Sequence, residues 1–242
     1  MIKNFTAALR FLTILPLGKQ ADFPGHRMVP YFPLAGLILG LFLAFTDWML
    51  QHAFPLNIVS LIDIVFLAVM TGALHLDGLA DTADGLFSHR SPQDALKIMK
   101  DSHVGTMGIL ALIFVLGTKW AGLASIHEYR AVYLILIPAY ARGAFTTAIY
   151  FQGYVRPEGG TGKEFFADNK SIASLGWLLA LLVFSLWLGF RGMILNGVFI
   201  AIVALVMLYY KKKLGGITGD MLGALGEVTE AGLFLVAGMG GL

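Results

Sequence analysis

Residues 31–50 read YFPLAGLILGLFLAFTDWML, and this apolar stretch decides the fold because it is long enough to cross a membrane. A helix needs roughly 20 mostly apolar residues to span the hydrocarbon layer of a bilayer. Six further windows come close to this length and composition, at residues 57–76, 107–126, 131–151, 172–190, 193–210 and 221–241. The sequence therefore predicts an all-α fold, a polytopic membrane helical bundle with about seven transmembrane helices.

The composition supports a membrane protein and excludes several functions. Hydrophobic residues make up 57% of the 242 residues and charged residues only 13%, whereas a soluble chain carries about 25% charged residues. The net charge of +2 gives no sign of a nucleic-acid partner. The chain has no cysteine, which excludes disulfides, thiolate metal sites and cysteine nucleophiles. We expect residues 1–242 to form a single integral-membrane catalytic domain with membrane lipid as a partner, and a homo-oligomer is compatible with the sequence.

The first residues of the chain differ from the seven windows. Phe5, Ala8, Leu9, Leu12 and Leu15 follow helical spacing, and polar or basic residues occupy most other positions. This amphipathic pattern predicts an N-terminal helix that lies in the membrane interface.

Lysine and arginine are distributed unequally between the predicted loops. With the N-terminus in the cytoplasm and seven alternating spans, only Arg130 and Arg191 face outside, and Lys119 and Arg142 lie within spans. All others face inside: Lys3, Arg10, Lys19, Arg27, Arg90, Lys97, Lys100, Arg156, Lys163, Lys170, Lys211, Lys212 and Lys213. Because cytoplasmic loops carry the excess of basic residues, we predict a multi-pass protein of the cell inner membrane, with its C-terminus outside and its active site facing the cytoplasm.

An acidic motif follows the second window, where residues 75–85 read HLDGLADTADG. In a helix Asp77, Asp81 and Asp84, spaced i, i+4 and i+7, lie on one face. Like charges at this spacing repel each other, and a bound cation removes the repulsion. Mg²⁺ suits such a site because it takes few carboxylates together with phosphate oxygens. The motif predicts a Mg²⁺ site, and the alternative is a solvated acidic face at a helix end.

Three other segments are predicted to lie on the same side of the membrane. Residues 100–105, KDSHVG, offer a carboxylate, a hydroxyl and a titratable imidazole, although Asp101 or Ser102 could equally cap a helix. Residues 215–220, GGITGD, can present backbone N–H groups to a phosphate. Residues 156–163, RPEGGTGK, carry an arginine and a lysine that could clamp an anionic substrate.

Charged residues inside the predicted spans need polar partners, because a charge in the hydrocarbon layer is costly. Glu227 and Glu230 are expected to face a polar cavity. Lys119 and Asp63 lie at matching predicted depths and are expected to pair with each other. Buried charges also suit a transporter or channel, which is the alternative class of function.

The acidic segments converge on one face and favour metal-assisted transfer at a diphosphate. Residues 81–85, DTADG, resemble the opening of the CDP-alcohol phosphotransferase motif, but its downstream part is absent. Membrane prenyltransferases also use Asp-rich helices, but the first asparagine of their usual N-D-x-x-D pattern is missing here.

A closer resemblance runs through the whole chain. The sequence resembles the adenosylcobinamide-GDP ribazoletransferase family, also called cobalamin synthase. The matching segments are residues 11–16 (FLTILP), 32–36 (FPLAG), 75–85 (HLDGLADTADG), 99–105 (MKDSHVG) and 215–220 (GGITGD). One departure is Ile14, where the family often has arginine.

The resemblance implies a Mg²⁺-dependent transferase that performs the last assembly step of cobalamin biosynthesis. Its substrates would be a GDP-activated corrinoid and α-ribazole or α-ribazole 5′-phosphate, and GMP would be released. We predict Asp77, Asp81, Asp84 and Asp220 as metal ligands. Predicted catalytic residues are Asp77, Asp81, Asp84, Asp101 and His103. Predicted substrate-binding residues are His75, Ser102, Arg142, Lys163, Thr218, Gly219 and Glu227.

Overall fold

The computed structural model describes residues 1–18, 25–156, 159–166 and 172–239. Within these ranges the chain forms ten α-helices and no strand: α1 Ile2–Leu12, α2 Phe32–Leu50, α3 Leu56–Met70, α4 Leu74–Leu86, α5 Pro92–Ile98, α6 Thr106–Ala124, α7 Arg130–Phe151, α8 Gly176–Ser185, α9 Phe190–Leu214 and α10 Gly219–Ala237. Short 3₁₀ segments occupy Gly25–Tyr31, Thr161–Phe165, Ile172–Leu175 and Leu186–Leu188. Lys19 and Lys170, counted above for orientation, lie outside the described residues.

Four of the described helical segments are long and apolar enough to cross a membrane: Gly25–Leu50, which includes α2, and α6, α7 and α9. Helices α3 and α4 pass the same test only as a pair bent by 88°, which raises the number to five. The all-α membrane bundle is confirmed, whereas the predicted seven spans are not. The fifth window contains only the shorter apolar segment Gly176–Leu188. The seventh window forms α10, which carries three carboxylates.

The bend between α3 and α4 determines how the acidic motif is presented. Gly72 and Ala73 adopt positive φ angles of 58° and 56°. This left-handed conformation ends the straight course of a right-handed helix. The motif helix α4 therefore runs at nearly a right angle to α3 and does not continue along the same axis.

Close backbone contacts at glycine hold α2 against α7. A Cβ atom added to Gly36 would lie 2.5 Å from the carbonyl oxygen of Pro138, and one added to Gly40 would lie 2.5 Å from that of Ile135. Small residues allow membrane helices to approach this closely. Helix α10 lies at the centre of the bundle and packs against α4, α6, α7 and α9.

The N-terminal helix is confirmed over Ile2–Leu12. Ala7, Ala8, Leu9 and Leu12 are buried, while Met1 and Ile2 are exposed. Helix α1 packs on α2 and on the 3₁₀ segment before it. Its position in the membrane interface stays a prediction.

We predict that Gly40→Ala destabilises the bundle by about 1–3 kcal/mol, because the added methyl group forces α2 and α7 apart. Gly117→Ala in α6 is the matched control, since a Cβ atom there meets nothing within 4 Å. Alanine also favours a helix over glycine, so the control should be at least as stable as wild type. Thermal unfolding in detergent measures both, and equal melting temperatures would contradict the predicted packing constraint.

Candidate functional site

The acidic motif and the start of α10 meet at one end of the bundle. A Cβ atom on Gly78 would lie 2.7 Å from the carbonyl oxygen of Asp220, so glycine is what allows α4 to touch α10 here. The carboxylate of Asp81 is close enough to be repelled by Asp77, Asp84 and Asp220. The structure thus brings the four predicted metal ligands into one acidic cluster, which we define as Asp77, Asp81, Asp84 and Asp220.

Within this cluster Asp84 also has a structural task. Its Oδ2 accepts a hydrogen bond from the backbone N–H of Gly105 at 2.7 Å, and its Oδ1 accepts one from Gly108 at 2.9 Å. These donors lie at the start of α6, where helical N–H groups lack partners in their own helix. Asp84 therefore fixes the beginning of α6 against α4.

Arg156, which the sequence suggests only as part of a clamp for an anionic substrate, reaches the acidic cluster. Tyr154 and Ile217 form an isolated parallel bridge, and Ile217 donates its N–H to Gly153 at 3.0 Å. This contact brings the loop after α7 to the start of α10. Arg156 Nη2 then lies 2.6 Å from Asp220 Oδ2. Its guanidinium adds a positive charge beside the cluster.

The donor chemistry of the cluster suits a hard cation. In the described part of the chain, no three His, Asp or Glu side chains are arranged to hold one metal ion. Mg²⁺ usually binds through one or two carboxylates and completes its shell with water and phosphate oxygens. One or two of these carboxylates, together with water and a substrate's phosphate oxygens, would suffice for such an ion, and the role of all four as ligands stays a prediction.

A cavity of about 100 Å³ lies beside the acidic cluster. Four phenylalanines form much of its wall, and two of the predicted substrate-binding residues, His75 and Gly219, also line it. The lining residues are Phe11, Leu12, Phe32, Leu74, His75, Asp77, Phe145, Gly162, Phe165, Gly219, Asp220, Leu222 and Gly223. The cavity therefore joins an aromatic wall to two carboxylates of the cluster.

The segment before α6 is exposed and holds a carboxylate–imidazole pair. His103 Nδ1 lies 2.6 Å from Asp101 Oδ1, and the hydrogen bond from His103 lowers the pKa of Asp101 below its ordinary value. Ser102 is exposed beside them. Gly105 links this segment to the cluster through its bond to Asp84. The catalytic and binding roles of these residues stay predictions.

Two other predicted substrate-binding residues differ in setting. Thr218 is fully buried, and its Oγ1 accepts a hydrogen bond from the N–H of Met221 at 3.3 Å, which caps α10. Lys163 is exposed on the 3₁₀ segment Thr161–Phe165, next to Gly162 of the cavity wall. A substrate could reach Lys163 directly but not the hydroxyl of Thr218.

Comparison with known proteins identifies the family of this chain. The chain matches the family described as Cobalamin-5-phosphate synthase over residues 4–238. This chain belongs to that family. Adenosylcobinamide-GDP ribazoletransferase of Desulforamulus reducens is 39% identical over 235 residues, covering 95% of this chain and 94% of the relative. The protein of the same name from Clostridium novyi is 34% identical, covering 98% and 96%. No solved structure matches.

Membership in the cobalamin-5-phosphate synthase family confirms the resemblance noted in the sequence. It also confirms that this membrane protein is an enzyme, a transferase of cobalamin biosynthesis. The match begins within α1 and ends just after α10, so the cluster and the cavity both lie within the family region.

In this family member the charges deep in the bundle are paired. Lys119 Nζ lies 2.6 Å from Glu227 Oε2 and 2.5 Å from Glu230 Oε2, and Arg142 Nη1 lies 2.7 Å from Glu230 Oε1. We call Lys119, Arg142, Glu227 and Glu230 the central ion-pair network. All four residues are buried. Arg142 and Glu227 thus have structural partners, and their contact with substrate stays a prediction.

The predicted pair of Lys119 and Asp63 is wrong. Asp63 instead accepts a hydrogen bond from Arg130 Nη2 at 3.0 Å, and Arg130 also pairs with Asp47 at 2.7 Å. The two residues were paired because their predicted depths in the membrane match. Lys119, however, faces α10, and Asp63 faces the start of α7. The sequence predicts Arg130 to lie in a loop, and the signal for its role is Asp47, a second isolated acid inside an apolar window.

We predict that Lys119→Met destabilises the protein by about 3–5 kcal/mol, because it leaves two buried glutamates with one cation between them. Adding Glu227→Gln should restore part of this loss by removing one uncompensated charge. The control is Lys97→Met, whose exposed pair with Asp94 at 3.4 Å should contribute little. Unfolding in detergent gives the free energies, and strictly additive effects of Lys119→Met and Glu227→Gln would refute the network.

Proposed function

We propose that the protein joins a GDP-activated corrinoid to α-ribazole or α-ribazole 5′-phosphate and releases GMP. This would be the last assembly step of cobalamin biosynthesis. The relatives described above bear the name of this reaction. The observation that carries the proposal is the cavity itself, which joins an aromatic wall to Asp77 and Asp220 of the acidic cluster.

The reaction is a transfer at phosphorus. A ribose hydroxyl oxygen forms a bond to the corrinoid-side phosphorus of the diphosphate, and the bond from that phosphorus to the GMP oxygen breaks. GMP leaves with the electron pair of the broken bond. The hydroxyl proton passes to a base within hydrogen-bond reach, for which the Asp101–His103 pair and the carboxylates of the cluster are the candidates.

The charges at the site suit a diphosphate held by cations. Asp77, Asp81, Asp84 and Asp220 would hold Mg²⁺. When bound, this ion would neutralise negative charge on the phosphates and on the departing GMP. Arg156, already 2.6 Å from Asp220, can offer several N–H donors to phosphate oxygens in a fixed planar arrangement. Exposed Lys163 could reach the same phosphates.

We further propose that the protein lies in the cell inner membrane with this site facing the cytoplasm. The basic residues support that orientation, because Lys97, Lys100, Arg156 and Lys163 all belong to the segments around the site. The opposite end of the bundle, where α6 ends and α7 begins, would then face outward.

We expect Asp81→Asn to lower Mg²⁺-dependent GMP release by about a thousandfold, because the variant loses a charged oxygen ligand but keeps the shape of the side chain. The matched control is Asp94→Asn, which changes an exposed aspartate of α5 paired with Lys97. GMP release measured against Mg²⁺ concentration tests the expectation. Unchanged turnover and unchanged Mg²⁺ dependence in Asp81→Asn would rule out the proposed ligand.

A comparison of Asp84→Asn with Asp81→Asn separates the loss of metal binding from the loss of thermal stability. The amide in Asp84→Asn cannot accept both backbone N–H groups that Asp84 accepts, so this variant should also lose thermal stability without Mg²⁺. Asp81→Asn should keep its stability, since it relieves repulsion within the cluster.

The absence of cysteine allows a direct test of orientation. Single cysteines at exposed Lys97, in α5, and at exposed His127, between α6 and α7, mark the two ends of the bundle. In intact spheroplasts a membrane-impermeant maleimide should label His127→Cys, and it should label Lys97→Cys only after permeabilisation. The reverse labelling pattern would place the site outside and overturn the proposed orientation.

A further inference from the structure

We infer that an open groove between α1, the 3₁₀ segment Gly25–Tyr31 and the start of α8 binds the headgroup of an anionic phospholipid. The groove has a volume of about 630 Å³, and sites for small ligands commonly measure about 300–1,000 Å³. It shares no described lining residue with the cavity beside the acidic cluster, so the inference does not depend on the proposed substrates. The described lining residues are Asn4, Arg27, Pro30, Tyr31, Ser174, Gly176, Trp177 and Ala180.

The groove lies where two apolar helical segments begin. Its 3₁₀ segment continues into α2, and the two together are long and apolar enough to cross a membrane. Helix α8 begins the shorter apolar segment Gly176–Leu188. Tyr31 and Trp177 line the groove at these two starts, and tyrosine and tryptophan are enriched at the depth of lipid headgroups. We therefore expect the groove to lie at headgroup depth.

Arg27 gives this groove a cation that the protein does not neutralise. It is exposed, and it has no hydrogen bond or ion pair with any residue that the structure describes. By contrast, Arg130, Arg142 and Arg156 all pair with carboxylates. A guanidinium can hold two oxygens of one phosphate through parallel N–H bonds. Arg27 is thus placed to bind the phosphate of a headgroup.

The other polar residues of the groove favour an anionic headgroup. Asn4 and Ser174 are partly exposed and carry an amide and a hydroxyl, which can donate hydrogen bonds to phosphate or glycerol oxygens. None of the described lining residues is acidic. A zwitterionic headgroup brings an ammonium group, which would meet Arg27 without a carboxylate to pair with. Exposed Lys3, next to Asn4 on α1, adds a further positive charge.

The apolar end of the groove continues along α8. Trp177, Ala180 and Phe184 are spaced i, i+3 and i+7, so they share one face of this helix. All three are exposed. A free phosphate ion has no part that covers this face, whereas the acyl chains of a phospholipid do. A cation at one end and an apolar helix face at the other match the two parts of a lipid molecule.

The groove also borders a wall of the candidate site. Its 3₁₀ segment packs closely on the segment Thr161–Phe165, since a Cβ atom on Gly25 would lie 2.7 Å from the carbonyl oxygen of Glu164. Phe165 in turn lines the cavity beside the acidic cluster. A lipid held by Arg27 would fix the segment on which this wall rests. We therefore expect anionic lipid to raise the melting temperature of the protein.

Trp177 allows lipid in the groove to be measured directly. The full-length protein carrying Trp48→Phe, Trp120→Phe and Trp187→Phe keeps Trp177 as its single tryptophan. It is placed in phosphatidylcholine nanodiscs that contain brominated phosphatidylglycerol or, at the same fraction, brominated phosphatidylcholine, and quenching of its fluorescence is recorded. The matched control keeps only Trp187, which is 72% exposed and does not line the groove.

We expect phosphatidylglycerol to occupy the site beside Trp177 about fivefold more strongly than phosphatidylcholine, the effect of one basic residue facing an anionic headgroup. Trp187 should show no preference between the two lipids. Arg27→Gln should abolish the preference at Trp177, and Arg27→Lys should keep part of it because an ammonium still attracts the phosphate. Arg90→Gln, which changes an exposed arginine outside the groove, should leave the preference unchanged.

Thermal unfolding in the same nanodiscs gives a second readout. Replacing phosphatidylcholine by phosphatidylglycerol should raise the melting temperature of wild type and of Arg90→Gln, and this gain should be lost in Arg27→Gln. The same measurement shows whether each variant is folded. The comparison of the two lipids at Trp177 needs no change of Arg27, so it tests the inference on its own.

Four results would overturn the inference. Equal quenching by the two brominated lipids at Trp177 would mean that the groove does not select anionic lipid. An undiminished preference in folded Arg27→Gln would remove the proposed phosphate contact. An equal preference at Trp187 would indicate a general attraction of anionic lipid to the protein surface. Loss of the preference in excess inorganic phosphate would assign the groove to a soluble anion.

Discussion

The structure depends on the need to compensate the carboxylates of α10, a helix at the centre of an apolar bundle. Glu227 and Glu230 lie within the core, where an unpaired charge is costly. Lys119 from α6 and Arg142 from α7 therefore meet α10 at its middle. These contacts fix which faces of α6 and α7 turn inward. They also set the position of α10, whose first turn carries Asp220. The ion pairs in the core therefore help to place a residue of the candidate site.

The sequence alone predicts the parts of this fold that follow from local pattern. Helical spacing puts Asp77, Asp81 and Asp84 on one face, and α4 is indeed a helix over Leu74–Leu86. Apolar length predicts α2, α6, α7 and α9 as spans. The glycine pattern suggests a phosphate site at the start of α10, but it does not reveal the role of Gly78. That glycine lets α4 contact Asp220, and this requirement exists only once the two helices are together.

Other features could not be predicted because they depend on how distant segments face one another. Depth in the membrane can be estimated from a sequence, but the rotation of a helix about its axis cannot. For this reason the sequence predicts Asp63 as the partner of Lys119, whereas Lys119 pairs with Glu227 and Glu230. Arg156 reaches Asp220 through a backbone bridge between residues 154 and 217, a contact that no local pattern encodes. The sequence does not predict the aromatic wall either, because phenylalanine is common throughout the chain. Only the fold distinguishes Phe165 in the cavity from Phe114 on the outer surface.

The contrast between the two groups of carboxylates explains why the site lies at the end of the bundle. The deep glutamates are each matched by a lysine or an arginine of the protein. At the end of the bundle Arg156 pairs with Asp220, and Asp77, Asp81 and Asp84 add three more carboxylates beside this pair. Such an excess of negative charge is tolerable only where water reaches it, and the 88° bend between α3 and α4 turns the motif helix away from the course of the span. Asp77 thereby comes to line the same cavity as Asp220, where in the proposed function a cation and the substrate's phosphates would neutralise both acids.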